Sequence, residues 1–367
     1  MIWISMGTGA ELIKLYGIIR RCEQENLPWY GINTGQSGEG LLKQWEQFGL
    51  SKTKLISLWD HSQDLENVVQ AVHWFTRTVQ ISAGKLVRLL ETKSHLTPSR
   101  RDIWIVHGDT LSSCAGAILA QKLSMRLAHI EAGLSSHSIF EPFPEELCRR
   151  FVSRKAHFLF PPDGNAEVNL RVRKLQGEIT CTFGNTLYDT VQYALMNPVL
   201  DQLPEGRYIV ANLHRYENMR SRERFKHCID LLVRAAKTWK THFILHPITA
   251  AVLQRNAEAR TALQDSGVQL MARRPFLEFL PMLARAEFIV SDGGSNQEEC
   301  YYLGLPCLIA RNYTERIEGL GKTCVISKLN TKIENDFFEN YEKYRSPRAQ
   351  LSKSPSDLVI ERLKNAL

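Results

Sequence analysis

The sequence lacks the features that mark membrane, secreted and repetitive proteins. No apolar run approaches the roughly 20 residues that a helix needs to cross a bilayer. The first residues, MIWISMGTGAELIK, contain neither a basic leader nor a cleavable apolar core, so we expect no signal peptide. The chain shows no internal repeat, and its 44% hydrophobic and 23% charged residues are typical of a globular protein. We therefore expect a cytoplasmic protein with no membrane partner.

Cysteine pairs and metal-ligand clusters are also missing. None of the eight cysteines forms a CxxC pair, and several lie inside apolar stretches, which favours reduced, buried thiols over a disulfide framework or a zinc site. His242 and His246 in THFILH could share one face of a strand, but no third ligand stands nearby. We predict no metal site.

The basic residues do not form the dense stripe with interleaved aromatics that nucleic-acid proteins usually show. The net charge is +7, and the basic clusters LCRRFVSRK, LRVRK and RYENMRSRERFKH are better explained, for the most part, as solvated helix faces. A modest positive excess also suits an anionic small substrate such as a nucleotide diphosphate. We predict no nucleic-acid partner.

What the sequence does contain is an alternation of short apolar runs and helical patterns from end to end. Such alternation predicts parallel sheets with helices on both faces. The first series of predicted strands comprises residues 2–5, 29–35, 102–109, 126–131, 158–162 and 179–185. The pattern restarts with the predicted strands 207–214, 241–247, 268–274, 288–294 and 306–312.

Two such series predict an α/β protein with two doubly wound Rossmann-like domains that face a central cleft. The linker-like segment LMNPVLDQLPEG separates the series. We expect an N-terminal domain over residues 1–185 and a C-terminal domain over residues 186–354. The terminal helix, residues 355–367, is expected to pack back on the first domain.

Acidic side chains follow two predicted strands of the first domain. Ligands of open parallel sheets bind beyond the carboxyl ends of the strands, and Asp109 and Glu131 stand at such ends. Neighbouring carboxylates shift one another's pKa values, which produces one acid and one base at neutral pH. Asp109 could instead cap the helix that follows it; Glu131 has no such alternative, because EAGL continues into a loop.

The second domain offers groups suited to phosphate and ribose. His214, Arg215 and Glu217 follow one strand, and His246 follows another. A Gly-Gly-Ser turn at 293–295 opens a helix, whose first N–H groups form an anion site. Glu299 is a candidate for ribose hydroxyls, whereas Glu298 is interpreted as a complement to the helix dipole. This division of groups predicts a nucleotide-activated substrate.

These residues lie in an ordered set of motifs that resembles the non-hydrolysing UDP-N-acetylglucosamine 2-epimerases, whose fold is similar to that of GT-B glycosyltransferases. The resemblance covers nearly the whole chain and rests on GDT, HIEAGL, PFPEELCRR, FGNTLYD, LHRYEN and SDGGSNQEE in this order. It implies removal of the C2 proton of the sugar, departure of UDP from C1 to leave a 2-acetamidoglucal, and readdition of UDP after reprotonation on the opposite face. The resemblance implies no cofactor and no metal. It does imply a homodimer.

The resemblance also assigns roles. It implies that Asp109, Glu131 and Glu145 are the acid/base carboxylates, that Arg149 supports them, and that His214 acts near the diphosphate. Glu141 and Glu146 are expected to be scaffold or solvent-facing. The groups implied to contact UDP or to stabilise its departure are Lys14, Gln36, Arg215, His246, Gly293, Gly294, Ser295, Glu299 and Arg316.

The chain departs from the family pattern at four positions. Gly9 and Ser135 stand where the family has arginines, Ser37 replaces a histidine, and Gly293 replaces a serine, although Ser295 follows two places later. Loss of one charge-assisted phosphate hydrogen bond costs about 1.5–3 kcal/mol. We expect weakened UDP binding unless Arg215 or another basic residue compensates.

Several functions fit parts of this pattern. The leading hypothesis is a C2 epimerase of UDP-N-acetylglucosamine, or of a modified analogue, that serves surface polysaccharide synthesis. The alternatives are a hydrolysing epimerase that releases UDP, a GT-B-like glycosyltransferase, and a non-catalytic UDP-sugar-binding protein. An NAD dehydrogenase fits poorly, because MGTGAEL lacks the third glycine of GxGxxG.

Overall fold

The chain forms two compact units. The structure, a computed structural model, describes residues 1–37, 39–59, 65, 68–135, 144–201, 203–314 and 316–367. The first unit comprises Met1–Thr190 and Leu351–Leu367, and the second comprises Val191–Gln350.

The first unit contains a parallel sheet that has seven strands among the described residues, in the order β3-β2-β1-β4-β5-β6-β7. Its strands are β1 (Ile2–Met6), β2 (Trp29–Asn33), β3 (Leu55–Ser57), β4 (Ile103–His107), β5 (Arg126–Ile130), β6 (Phe158–Phe160) and β7 (Glu178–Ile179). The central strands β1 and β4 are buried along their whole length, as parallel strands covered on both faces must be. Trp3 and Trp104 are paired across them in the same register.

Helices connect these strands. They are α1 (Gly9–Gln24), α2 (Glu39–Gln47), α3 (Val68–Val79), α4 (Ala83–Ser94), α5 (Leu111–Lys122), α6 (Glu145–Lys155), α7 (Gly164–Val172) and α8 (Leu187–Met196), with a 3-10 turn at Lys52–Lys54. The small residues of α5 let it lie close to the sheet: a Cβ at Gly116 would approach the Ser5 hydroxyl to 2.7 Å and Val106 to 2.8 Å. This close packing sets the position of the loop between β4 and α5.

The second unit repeats the plan with a parallel sheet of six strands in its described residues, in the order β10-β9-β8-β11-β12-β13. Its strands are β8 (Tyr208–Asn212), β9 (Lys240–Leu245), β10 (Gln269–Ala272), β11 (Ile289–Ser291), β12 (Cys307–Ile309) and β13 (Cys324–Ile326). Its helices are α9 (Tyr216–Arg220), α10 (Arg222–Ala236), α11 (Pro247–Gln254), α12 (Ala257–Asp265), α13 (Phe276–Ala284), α14 (Gly294–Leu303) and α15 (Thr331–Asn340), followed by a 3-10 turn at Tyr341–Tyr344.

The last helix, α16 (Pro355–Lys364), packs within the first unit against α1 and the start of α8. The Ser356 N–H donates to the Asp189 carboxylate at 2.8 Å, and Val359, Ile360 and Leu363 are fully buried. Gly17 of α1 permits this contact, because a Cβ there would lie 2.4 Å from the Ser356 hydroxyl.

The prediction of two doubly wound parallel sheets is confirmed, but some strand predictions are wrong in detail. β3 and β13 were not predicted, since both are three-residue edge strands with no clear pattern. The predicted strand at 179–185 is reduced to β7, although the N–H groups of Thr180 and Thr182 still donate to the backbone of Leu159 and Pro161.

Candidate active site

Two of the predicted site residues, Asp109 and His214, follow strands at which the strand order of their sheet reverses. Strand order reverses between β1 and β4 in the first sheet and between β8 and β11 in the second. Loops at such a switch point diverge and leave a crevice where ligands bind. Asp109 comes two residues after β4, and His214 comes two residues after β8.

Glu131, directly after β5, is the centre of a buried polar cluster. The Lys14 ammonium, from the second turn of α1, donates to Glu131 Oε2 at 2.6 Å, and both side chains are buried. The His107 imidazole lies 3.8 Å from the same oxygen. That Lys14 contacts UDP stays a prediction; in the structure its ammonium neutralises and orients the carboxylate of Glu131.

The backbone of Glu131 adopts a left-handed conformation, with φ of 62°. A residue with a side chain pays of order 1–3 kcal/mol for such a conformation, and this strain is concentrated at functional sites. The conformation turns the chain out of β5 while the side chain stays buried.

Asn185 is a member of this cluster that the sequence analysis missed. Its amide nitrogen donates to Glu131 Oε2, while its amide oxygen accepts from the Leu187 N–H at 3.0 Å. Because the oxygen caps α8, the nitrogen must face the carboxylate. The motif FGNTLYD was the available signal, but it gave no hint that Asn185 approaches Glu131.

Asp109 pairs with Arg149 of α6 through Arg149 Nη2 and Asp109 Oδ2. The alternative that Asp109 caps the next helix is wrong, because Thr110 is the N-cap of α5 and its hydroxyl accepts from the Ser113 N–H at 3.0 Å. Asp109 keeps about a quarter of its side chain exposed, whereas Arg149 is almost fully buried. The Asp109 carboxylate is therefore partly accessible to solvent, while the buried Arg149 guanidinium is paired with it.

Glu145 and Glu146 open α6 in different environments. Glu145 is half-buried, one turn before Arg149. Glu146 is completely buried and accepts hydrogen bonds from Arg149, Arg150 and Arg173. Glu146 was expected to be either a scaffold residue or solvent-facing. It does not face solvent, because its buried carboxylate is bonded to three guanidinium groups. Glu141 lies outside the described residues.

Glu11 fixes the loop that follows β1. Its Oε2 accepts the N–H groups of Gly7 and Thr8 at 2.9 Å each, and its Oε1 accepts the hydroxyls of Thr110 and Ser113. Burial raises the pKa of this carboxyl, and the hydrogen bonds oppose that change. Glu11 therefore ties the loop after β1 to the loop after β4, a role that the sequence analysis did not predict.

Two further predicted positions lie beside this loop. Gln36 Oε1 accepts the Ser112 N–H at 2.8 Å and so caps the first turn of α5. At Gly9, where the resemblance implies an arginine, a Cβ would have no atom nearer than 3.6 Å. The glycine at this position is therefore not required by close packing.

His129 supports the turn at Gly108 from inside the sheet. Its Nε2 lies 2.7 Å from the Gly108 carbonyl oxygen and its Nδ1 lies 3.0 Å from the Ser153 hydroxyl. Burial lowers the pKa of His129 to about 4. The ring is therefore neutral at neutral pH, with Nε2–H donating to Gly108 and Nδ1 accepting from Ser153.

In the second unit, Asp292 organises the loop that carries His214 and Arg215. Its carboxylate accepts the N–H groups of these two residues at 2.9 and 3.0 Å and the Asn218 amide at 2.9 Å. Asp292 is fully buried and follows β11 directly. The motif SDGGSNQEE contains this aspartate, but the aspartate was not among the predicted site residues.

The His214 ring is stacked on the His246 ring, with centroids 5.1 Å apart, and its Nδ1 lies 3.6 Å from Asp292 Oδ1. Burial lowers the pKa of His214; Asp292 raises it, and Arg215 and Arg273 lower it further. The absence of a side chain at Gly293 leaves room for the His214 ring, because a Cβ at this position would lie 2.9 Å from His214 Cε1. The two predicted histidines therefore lie together.

The first turn of α14 has no side-chain cap. Gly293 is the N-cap, Gly294 is the first helical residue, and Ser295 is exposed. The Gly293 N–H donates to the Ser291 hydroxyl at 3.0 Å. An uncapped helix start of this kind presents backbone N–H groups and positive potential to an anion.

Glu298 and Glu299 are both buried within α14. Glu298 Oε1 accepts from Arg316 Nη1 at 2.9 Å. Its interpretation as a complement to the helix dipole is wrong, because the first turn of α14 contains no acidic residue and the dipole acts within that turn. Glu299 Oε2 accepts from the Asn296 amide at 2.7 Å. The sequence could not reveal the Glu298–Arg316 pair, because Arg316 comes from a loop beyond β12.

No group of three or more His, Cys, Asp or Glu side chains in the described ranges is arranged to hold a metal ion. The eight cysteines are free, and all except the half-buried Cys181 are buried. Within the part of the chain that the structure describes, no helix has the length and apolar character to span a bilayer.

Comparison with known proteins identifies the family of this chain. The sequence profile described as "UDP-N-acetylglucosamine 2-epimerase" matches residues 70–355. The UDP-N-acetylglucosamine 2-epimerase of Bacillus subtilis is 31% identical over 275 residues, which are 71% of each chain.

Two solved structures show the same fold. The UDP-GlcNAc 2-epimerase of Methanocaldococcus jannaschii, in complex with UDP-GlcNAc and UDP, is 26% identical with a TM-score of 0.81, over 99% of both chains. The enzyme of Neisseria meningitidis, bound to UDP-GlcNAc, has a TM-score of 0.79 at 23% identity, also over 99% of both chains.

Two doubly wound parallel sheets with polar loops at their switch points define a GT-B-like α/β protein. Within that class, the chain belongs to the UDP-N-acetylglucosamine 2-epimerase family, as its motifs predicted.

Proposed function

We propose that this protein is an isomerase that inverts C2 of UDP-N-acetylglucosamine, or of a modified UDP-2-acetamido sugar. The observation that carries the proposal is the pair of carboxylates at the ends of the neighbouring strands β4 and β5. Each has its own cation: Arg149 for Asp109 and Lys14 for Glu131. Carboxylates held in this way can take up and return a proton while their positions stay fixed.

The reaction proceeds by elimination and readdition. A carboxylate base takes the C2 proton, the C2–H electron pair forms the C1–C2 double bond, and the C1–O bond breaks with its electrons going to UDP. A second carboxylic acid then delivers a proton to the opposite face of C2, and UDP adds back at C1. The sugar carbon undergoes no net oxidation, so the scheme requires no redox partner.

In this scheme Asp109, Glu131 and Glu145 exchange protons with the sugar, and Arg149 supports Asp109. We assign Lys14 to the carboxylate site through its ion pair with Glu131. The neutral state that burial favours for His214 leaves its ring able to donate one hydrogen bond to the departing diphosphate.

The second unit is proposed to bind UDP. The uncapped start of α14, at Gly293, Gly294 and Ser295, suits a phosphate group. Arg215 and His246 flank His214 and suit the same diphosphate, while Glu299 suits ribose hydroxyls. Arg316, which is paired with Glu298, supports the loop beyond β12. Gln36 belongs to the first unit, where it caps α5.

We further propose that the protein acts in the cytoplasm as a homodimer and supplies surface polysaccharide synthesis. Sedimentation velocity over a range of concentrations tests the assembly: a species of twice the 42.0 kDa chain mass is expected, and a single monomeric species would contradict it.

The test of function is proton NMR of the protein with UDP-N-acetylglucosamine in heavy water. Deuterium at C2 together with UDP-N-acetylmannosamine is the expected result. Glu131→Gln should abolish the exchange, whereas Glu334→Gln should retain it, since Glu334 is an equally buried carboxylate of the second unit, bonded to His227 and Arg234. Deuterated free N-acetylmannosamine with UDP would indicate the hydrolysing reaction instead. Folded protein that catalyses no exchange would contradict the epimerase and favour a transferase or a binding protein.

A further inference from the structure

The buried carboxylate of Glu146 is the common partner of four side chains from three segments of the chain. Arg150 Nε donates to Oε1 at 2.8 Å, the Ser135 hydroxyl donates to the same oxygen at 2.9 Å, and Arg173 Nη2 does so at 3.1 Å. Arg149 Nη1 donates to Oε2 at 3.2 Å. Glu146 itself has no exposed surface.

Arg149 differs from the other two arginines because it joins two carboxylates. Arg150 and Arg173 are partly exposed, at 36% and 26% of their side chains, so they reach Glu146 from the surface. Arg149 is 5% exposed and uses its two terminal nitrogens separately, Nη1 for Glu146 and Nη2 for Asp109. The guanidinium plane is therefore fixed at both ends.

The hold on Glu146 is strong enough to offset its burial. Burial alone raises the pKa of this carboxyl, but hydrogen bonds from Arg150 and Ser135 and the charges of Arg149 and Arg173 lower the pKa overall. A carboxylate that stays ionised inside the protein can restrain an arginine that would otherwise rotate about several side-chain bonds.

We propose that Glu146 is a positioning residue of the reaction, which holds the Arg149 guanidinium against the Asp109 carboxylate. Arg173 and Ser135 restrain Glu146 in turn, because both donate hydrogen bonds to its Oε1. This inference rests on the proposed function, since it assumes that Asp109 takes part in proton transfer.

The experiment compares kcat and KM for C2 exchange in Glu146→Gln, Arg149→Lys and the double variant. Glutamine keeps the shape of Glu146 but removes its charge. We expect kcat to fall by up to about 100-fold, the loss that a displacement of about 1 Å at a reacting group produces, with KM little changed. Because Glu146 acts through Arg149, the double variant should lose no more than Arg149→Lys alone. Glu334→Gln is the matched control and should keep the wild-type kcat.

A crystal structure of Glu146→Gln provides a readout that does not depend on turnover. Arg149 should leave Asp109 in this variant and should stay in place in Glu334→Gln. Losses that multiply in the double variant, a wild-type kcat in Glu146→Gln, or an unmoved Arg149 would each overturn the proposal.

Two other outcomes remain decisive. If Glu146→Gln does not fold, Arg173→Gln, which changes a partly exposed partner, replaces it in the same cycle and should lower kcat in the same direction. If the wild-type protein shows no exchange, the proposed function fails, and the position of Arg149 in the variant crystals alone decides whether Glu146 positions it.

Discussion

At the scale of single residues, the first unit's part of the candidate site contains two ion pairs, Glu131 with Lys14 and Asp109 with Arg149. Glu131 and Lys14 were both singled out from the sequence, but as members of different subsites. The structure places them 2.6 Å apart. A contact between residues 117 positions apart in the chain leaves no trace in a motif.

Replacement of Lys14 tests this pair. Lys14→Met leaves a buried carboxylate without its ammonium, so the free energy of unfolding should fall by about 3–5 kcal/mol. The double variant Lys14→Met/Glu131→Gln should regain most of that loss, because a neutral amide can still accept from Asn185. Both variants should lack C2 exchange. Urea unfolding measures the free energies of unfolding. A double variant as unstable as Lys14→Met would show that the loss does not come from the unpaired charge of Glu131.

A second test at this scale concerns His242 in β9. Neither ring nitrogen has a hydrogen-bond partner among the residues that the structure describes, and burial, with the charges of Lys240 and Arg274, lowers the pKa to about 4. The unfolded chain, with a pKa near 6.5, then binds more protons between pH 4 and 6.5. Stability due to this group is therefore complete above pH 6.5 and is lost as pH falls, by up to about 1.4 kcal/mol per pH unit.

His242→Phe should remove this slope, so its melting temperature should exceed that of the wild type by more at pH 5 than at pH 7. His129→Phe is the matched contrast: it also removes a histidine whose pKa is about 4, but it leaves the Gly108 carbonyl and the Ser153 hydroxyl without their partner. It should be destabilised at both pH values. Calorimetry decides, and an equal gain for His242→Phe at both pH values would contradict the assignment.

At the scale of elements, the pattern of strands and helices could be read from the chain, while the contacts between elements could not. The sequence shows the apolar stripe of α1 in the three- and four-residue spacing of Leu12, Leu15, Tyr16, Ile19 and Cys22. It gives no reason for a glycine at position 17 of the same helix. The structure shows why it has no side chain: α16 crosses there, with the Ser356 hydroxyl and Asp189 next to it.

A pair of glycine substitutions isolates this contact. Gly17→Ala would place a Cβ 2.4 Å from the Ser356 hydroxyl and 2.7 Å from Asp189 Cβ, so overpacking should reduce stability by about 1–3 kcal/mol. Gly84→Ala in α4 meets no atom within 4 Å and should add about 0.5–1 kcal/mol through helix propensity. Both are measured by urea unfolding; equal effects would show that α16 does not pack closely on α1.

At the scale of the whole molecule, both units are built from a parallel sheet and helices, but they differ in how many chain segments form them and in their tryptophan content. The first unit is built from two separated segments, and six of the seven tryptophans lie in it, at positions 3, 29, 45, 59, 74 and 104; Trp239 lies in the second. Tryptophan fluorescence therefore reports mainly on unfolding of the first unit.

Removal of residues 351–367 should destabilise the first unit selectively. Burial of an aliphatic side chain contributes about 1.5–3 kcal/mol, so the loss of Val359, Ile360 and Leu363 removes about 4.5–9 kcal/mol. We expect the fluorescence transition to move to much lower urea, while hydrogen exchange in β8, β9 and β11 keeps its protection. A transition at the wild-type urea concentration would show that α16 is dispensable.

The sequence by itself determined the class of fold and the chemical character of the site. Alternating strand and helix patterns are local, and motifs such as HIEAGL and LHRYEN place polar residues at strand ends, so Asp109, Glu131 and His214 could be predicted without coordinates. Only the tertiary structure decided their partners: Lys14 and Asn185 for Glu131, Arg149 for Asp109, Asp292 beside His214. The physical reason is that these contacts join distant segments, and which side chains meet depends on strand order and on how each helix packs on its sheet.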